Sequence, residues 1–174
     1  CNEALGKDVD KAVFPNAQGG PLMHVIAGKA VALKEAQTPE FAAYQGQVLK
    51  NARTLAEALL AQGYKLVSGG TDNHLMLLDF SGTPMTGRKA EVTLDKANIT
   101  ANKNMVPFDE RKPMTTSGLR IGTPTITTRG MKETEMRMVA GLIHRVLSDP
   151  DNETTVAAVR QEVVSGIALD AGFQ

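Results

Sequence analysis

Apolar positions follow a few distinct rhythms along the chain. Over residues 22–36 they crowd nearly all round a helical wheel (Leu22, Met23, Val25, Ile26, Ala30, Val31, Leu33), with Gly28 the one breaker. Such a pattern predicts a helix buried on most sides. From residue 41 the apolar positions narrow to a single stripe, Phe41, Tyr44, Val48, Ala52, Leu55 and Leu59. These steps keep side chains on one helical face. Thr38 can cap that helix, Pro39 suits its first turn, Glu40 faces the positive end of its dipole, and Gly63 stops it. Two apolar runs, 64–67 and 75–80, read as strands joined by the turn-rich Ser68-Gly69-Gly70-Thr71-Asp72-Asn73.

Further on, the pattern predicts a helix over 88–97, an extended stretch over 99–106, a Pro-flanked loop over 107–113 and a short strand over 119–121. A helix over 131–147 follows Arg129-Gly130, with Met138, Val139, Leu142, Ile143 and Val146 on a core-like face. Asp149-Pro150-Asp151-Asn152 breaks it, and Val156, Val159, Val163 and Ile167 line a final helix. Helices on one side of a small, mostly antiparallel sheet make an α+β domain. Residues 1–36 are expected to stand apart from the domain formed by 37–174, because their helix wants cover that the rest of the chain does not obviously provide. The stretch before Phe14 is polar and weakly patterned.

Length and composition then bound the function. At 174 residues the chain can bury roughly 70% of its unfolded surface. Its 19 basic and 19 acidic residues cancel, which argues against nucleic acid or an anionic membrane as partner, since either calls for a field of one sign. No apolar run approaches the roughly 20 residues that span a bilayer, so a soluble, cytoplasmic protein is expected. The single cysteine, Cys1, excludes an internal disulfide and a cysteine-based metal site. A chain that opens on Cys rather than Met is expected to be a processed, truncated or excised piece of a longer protein.

The usual catalytic signatures are missing: no GxGxxG, Walker loop, GxSxG or HExxH motif, and no Cys or His cluster. His24, His74 and His144 read as satisfied core or surface histidines. Gln18-Gly19-Gly20-Pro21 runs into a helix with Pro21 at a first helical position, and is either a phosphate cradle or a plain tight turn. In Thr115-Thr116-Ser117-Gly118-Leu119-Arg120-Ile121-Gly122-Thr123-Pro124, an arginine between Leu and Ile either meets solvent or an internal acid, or binds a carboxylate through its fork. The flanking glycines leave space for such a ligand. Asp72-Asn73 reads as an Asx-type turn. Asn102 and Asn104, two apart on an extended stretch, could present amides to a heterocycle. Asp109-Glu110-Arg111-Lys112 reads as a solvated loop.

Taken together and in order, Phe14-Pro15, Gln18 through Ala27, Ser68-Gly69-Gly70-Thr71-Asp72-Asn73-His74, Ala97-Asn98-Ile99-Thr100, Asn102-Lys103-Asn104 and Thr116 through Pro124 closely resemble serine hydroxymethyltransferase. The resemblance covers nearly the whole chain. It implies a pyridoxal phosphate enzyme of fold type I, the aspartate aminotransferase class, which interconverts serine and glycine and passes a one-carbon unit to tetrahydrofolate. It implies that the Schiff-base lysine lies upstream, that none of the eleven lysines here takes that place, and that this chain is a C-terminal portion, inactive alone: large-domain tail, connecting helix and small domain. Residue by residue, it makes Arg120 the clamp on the amino-acid carboxylate. Gly19 and Gly20 become contacts to the cofactor phosphate of a neighbouring subunit, which makes the site composite across a homodimer. Asn104 becomes a folate contact, and Lys112, Pro113 and Met114 the folate-side loop. No catalytic group and no metal ligand is expected in this span. The sequence departs from the family at Asn16-Ala17, at Met114 and at Asp170-Ala171-Gly172-Phe173-Gln174. A non-catalytic binding module of the same fold is the alternative, and a threonine aldolase is disfavoured by the Asn104 segment.

Overall fold

The computed structural model describes residues 1–167. The chain divides into two compact units, Cys1–Ala42 and Ala43–Gln174.

The first unit opens with a single turn, Glu3–Leu5, capped by the Asn2 side chain, and continues into α1 (Gly6–Lys11). An irregular turn over Ala12–Ala17 contains the cis Phe14–Pro15 peptide. α2 (Met23–Glu35) starts two residues beyond Pro21, because Leu22 is still extended and its carbonyl receives the amides of Val25 and Ile26. Pro21 therefore lies outside the helix it was expected to begin. α2 buries none of its residues within this chain, and Met23 and Leu33 are 67% and 66% exposed.

The second unit is an α+β layer pair. α3 (Pro39–Ala61) begins just ahead of the division, with Thr38 Oγ1 accepting the Phe41 amide at 3.2 Å. β1 (Lys65–Leu66), β2 (Leu75–Asp79), β3 (Asn102–Asn104) and β4 (Gly118–Gly122) form a four-stranded sheet in the order β1-β2-β4-β3, with every neighbouring pair antiparallel. β1 is shorter than its apolar run because the chain turns over Val67–Gly69, where Ser68 takes a φ of 66°. The extended stretch after Ile99 yields only three paired residues. Pro124 opens a further short helix, α5 (Pro124–Thr128), that the periodicity did not announce.

Alternation along the strands sends Met76, Leu78, Leu119 and Ile121 to one face of the sheet. There they meet Leu55 and Leu59 of α3, and Ala90 and Leu94 of α4 (Gly87–Lys96). Ile143 of α6 (Glu133–Ser148) and Val159 of α7 (Glu153–Ile167) complete this one core. Each fully buried Leu or Ile contributes about 1.5–3 kcal/mol. Two expectations are corrected here. Met138 is 61% exposed, and Met136 occupies the core instead, two residues earlier on the opposite side of the helix. Phe41 is 38% exposed, while Asn51 is buried in the α3 stripe and bonds Thr127 Oγ1 and the Met131 carbonyl, both at 2.8 Å. The Ile167 side chain and the 170–174 ending lie outside the described residues.

Candidate functional site

The second face of the sheet carries the residues of interest. Alternation places Leu75, Leu77 and Asp79 of β2, Gly118, Arg120 and Gly122 of β4, and Asn102 and Asn104 of β3 on the side away from the helices. In register, Arg120 stands opposite Leu77 on one side and Asn102 on the other. Arg120 is exposed, and among the described residues nothing pairs with its guanidinium. The nearest acid in the β2 register, Asp79, is already taken. Lys65 Nζ lies 2.6 Å from it and the Ser81 amide donates to it at 2.8 Å. Partial burial opposes ionisation of Asp79, but Lys65 and Ser81 outweigh it and hold the carboxyl below its ordinary range. Among the described residues an internal acid partner for Arg120 is thus absent from this face.

The two glycines beside Arg120 play different parts. A Cβ on Gly118 would meet the Asn104 carbonyl at 2.6 Å, Val106 Cγ1 at 2.8 Å and Leu77 Cδ1 at 3.0 Å. That position is filled by protein, so the expected ligand space does not exist there. A Cβ on Gly122 would approach nothing closer than the His74 carbonyl at 3.4 Å, an ordinary contact. The Gly122 position is therefore less crowded than that of Gly118, though the His74 carbonyl, Pro124 and Leu75 line it at ordinary contact distance. Further along, Ser68, Gly69, Gly70 and Thr71 border a concavity of about 520 Å³ with Leu75 and Leu77. Its rim is set by the predicted Asx turn, in which Asn73 Oδ1 accepts the Leu75 amide at 2.9 Å, and by Thr71 Oγ1 donating to the Leu75 carbonyl at 2.5 Å.

The loop between β3 and β4 holds the remaining candidates. Asn104 is half-buried, its amide donating to the Met105 carbonyl at 2.7 Å, and it sits at the strand end opposite Gly118. Lys112, Pro113 and Met114 are exposed. The structure thus gathers Arg120, Asn102 and Asn104 on one sheet face, with Lys112, Pro113 and Met114 on the loop that leaves from the Asn104 end. Gly19 and Gly20 belong to the first unit. Both are exposed, with nothing within 4 Å of where a Cβ would stand.

Periodicity missed the residues that shape this loop. Asp109 Oδ1 accepts the Arg111 amide at 3.0 Å and Ser117 Oγ at 2.7 Å, while Oδ2 accepts the amides of Ser117 at 2.8 Å and Val106 at 3.3 Å. Desolvation opposes the charge, yet these bonds prevail and lower the Asp109 carboxyl to about 2. Arg111 donates to the carbonyls of Met85 and Thr83, each at 2.6 Å. The segment expected to be merely solvated is instead bolted in place at two points. The available signal was an acid two residues before another amide inside a Pro-bounded loop, which is Asx-turn chemistry.

Among the described residues no group of three His, Cys, Asp or Glu could hold a metal ion, and no helix is long and apolar enough to cross a membrane. A family model described as serine hydroxymethyltransferase matches residues 1–143.

Proposed function

The chain belongs to the serine hydroxymethyltransferase family, and from that premise we propose that it forms the carboxylate-binding and folate-side parts of a pyridoxal phosphate enzyme that interconverts serine and glycine. Members of the family are transferases, and this unit is the small domain of a fold type I architecture. The observation that carries the proposal is Arg120: a guanidinium exposed on the sheet face turned away from the helices of its own unit, unpaired among the described residues, with the one acid of the β2 register held by Lys65.

An amino-acid carboxylate fits that guanidinium by a bidentate fork, worth more than a neutral hydrogen bond and strict about orientation. Holding the carboxylate would fix the orientation of the α-carbon substituents relative to the bound cofactor. The effect of Arg120 is therefore on rate as well as on affinity. Asn104, Lys112, Pro113 and Met114 take the folate side, where tetrahydrofolate receives the one-carbon unit.

Pyridoxal phosphate fits what this chain offers. Gly19 and Gly20 leave their surroundings clear, so a phosphate can approach both backbone amides. These two glycines serve the cofactor of a neighbouring subunit in a homodimer, whose composite site takes its Schiff-base lysine from elsewhere than the eleven lysines present here. When bound, the cofactor supplies an electron sink for the bond broken at the α-carbon. The chain's own residues bind and orient.

The test is conversion of serine to glycine with and without tetrahydrofolate, using the complete cofactor-loaded enzyme; this chain by itself is expected to be inactive. Folate-dependent release of glycine is expected. Serine cleavage that ignores folate would indicate an aldolase, and binding of serine without turnover a ligand-binding module.

A further inference from the structure

The acidic group at the centre of the β3–β4 connection has no part in the function proposed so far. We infer that Asp109 is a positioning residue for the co-substrate: by tying both ends of this connection together, its carboxylate fixes where Lys112, Pro113 and Met114 stand relative to Arg120. The inference rests on taking those three residues as the folate side.

Val106 lies two residues past β3 and Ser117 one residue before β4. Asp109 reaches both, closing the neck of the loop through one carboxylate oxygen that accepts from each end, at 3.3 and 2.8 Å. The other oxygen accepts Ser117 Oγ at 2.7 Å and the Arg111 amide at 3.0 Å. Arg111 carries the next anchor, on the Thr83 and Met85 carbonyls. Beyond it, the Lys112 carbonyl receives the amides of Thr115 and Thr116 at 2.8 and 2.9 Å. The Thr115 and Thr116 carbonyls in turn receive Arg88 at 2.9 Å and Gly87 at 3.1 Å, in the first turn of α4. The loop is therefore fastened on both sides of 112–114, and the three residues themselves project as a bulge with Met114 72% exposed. Because Ser117 leads directly into β4, the same carboxylate sets the bulge against the strand that carries Arg120.

A carboxylate is required there, rather than any polar group of that size. All four contacts are donors, three of them backbone amides, so an asparagine turned either way sets its NH₂ against at least one backbone N–H. The loop then loses its neck on one side, while the β2–β4 ladder that holds Arg120 keeps its bonds.

In cofactor-loaded enzyme, Asp109→Asn is expected to raise the tetrahydrofolate KM about ten-fold, the equivalent of one charge-assisted hydrogen bond. The serine KM is expected to stay within about two-fold, since binding of that substrate does not use the loop. Ser117→Ala removes only the hydroxyl contact and should raise the folate KM in the same direction by less. It decides the matter if Asp109→Asn does not fold. A folate KM unchanged in both variants, or serine and folate KM rising together, overturns the inference while leaving the enzyme's function intact. A complete wild-type enzyme without folate-dependent turnover overturns the function proposed above, and this inference with it.

Discussion

Asn102 of β3 lies directly opposite Arg120 of β4 on the sheet face turned away from the helices of its unit. Directly opposed residues have Cβ atoms about 4.5–5.5 Å apart, so the character of residue 102 is felt by the guanidinium. The neutral amide leaves Arg120 available to an outside anion. Asn102→Asp would offer an internal carboxylate in competition with substrate. Steady-state kinetics should then show the serine KM rising several-fold, with a smaller change in kcat. An unchanged KM would mean that the two side chains do not compete for the same space.

Gly118 is required by packing. Its missing Cβ leaves room for the Asn104 carbonyl and for Val106, and Gly118→Ala forces either the β3–β4 ladder or the loop to shift. Overpacking of this kind costs about 1–3 kcal/mol, and for a chain of this length each kcal/mol lowers the melting midpoint by roughly 2–4 °C. Thermal unfolding followed by circular dichroism measures it. Gly122→Ala, whose new methyl meets only ordinary contacts of 3.4 Å and longer, should cost distinctly less.

Asn51 joins α3 to the α5–α6 corner through Thr127 Oγ1 and the Met131 carbonyl. Asn51→Leu keeps the volume but leaves that part-buried carbonyl without its donor. A loss of about 1–3 kcal/mol is expected in chemical denaturation, with no change in the slope of the transition.

Asp109 gives the fold an acid-sensitive contact. Its carboxyl titrates near 2 in the folded chain against an ordinary 3.8, so the unfolded state holds the proton more tightly. The stabilisation is fully present above the ordinary value and disappears as the pH falls toward the folded one. Comparing the melting midpoints of the wild type and Asp109→Asn between pH 5 and pH 2 should show a gap that narrows as the pH falls. A gap independent of pH would place the effect of the substitution elsewhere.

Much of this architecture was legible in the sequence because it follows from local periodicity. The α3 stripe, the paired runs around Ser68–Asn73 and the valines of α7 each announce an element and the face that it buries. The misreadings share a cause. Met138 and Phe41 sit one turn or one face from the true core, where the choice is settled by the neighbour across the gap. Asn51 and Thr123 are polar at buried positions, satisfied by partners 76 and 75 residues away in the chain, a distance that no window of sequence spans. Arg120 stood out as a lone charge on an apolar strand. The registers that bring Asn102 and Leu77 beside it, and the Lys65 contact that occupies Asp79, appear only once the strands are paired. The Asp109 hub was hidden among neighbouring charges of both signs, since a carboxylate that accepts four hydrogen bonds has the same letter as one in water.

The most direct test is Arg120→Ala in the cofactor-loaded enzyme, with Arg120→Lys beside it. Hydrogen bonds to a charged group are worth about 1.5–3 kcal/mol, so loss of the fork should raise the serine KM by roughly ten- to a hundred-fold and lower turnover as well. Lysine, which keeps the charge without the planar fork, should recover part of the affinity but less of the rate. A serine KM and kcat close to wild type in Arg120→Ala would contradict the assignment of this sheet face as the substrate-carboxylate site.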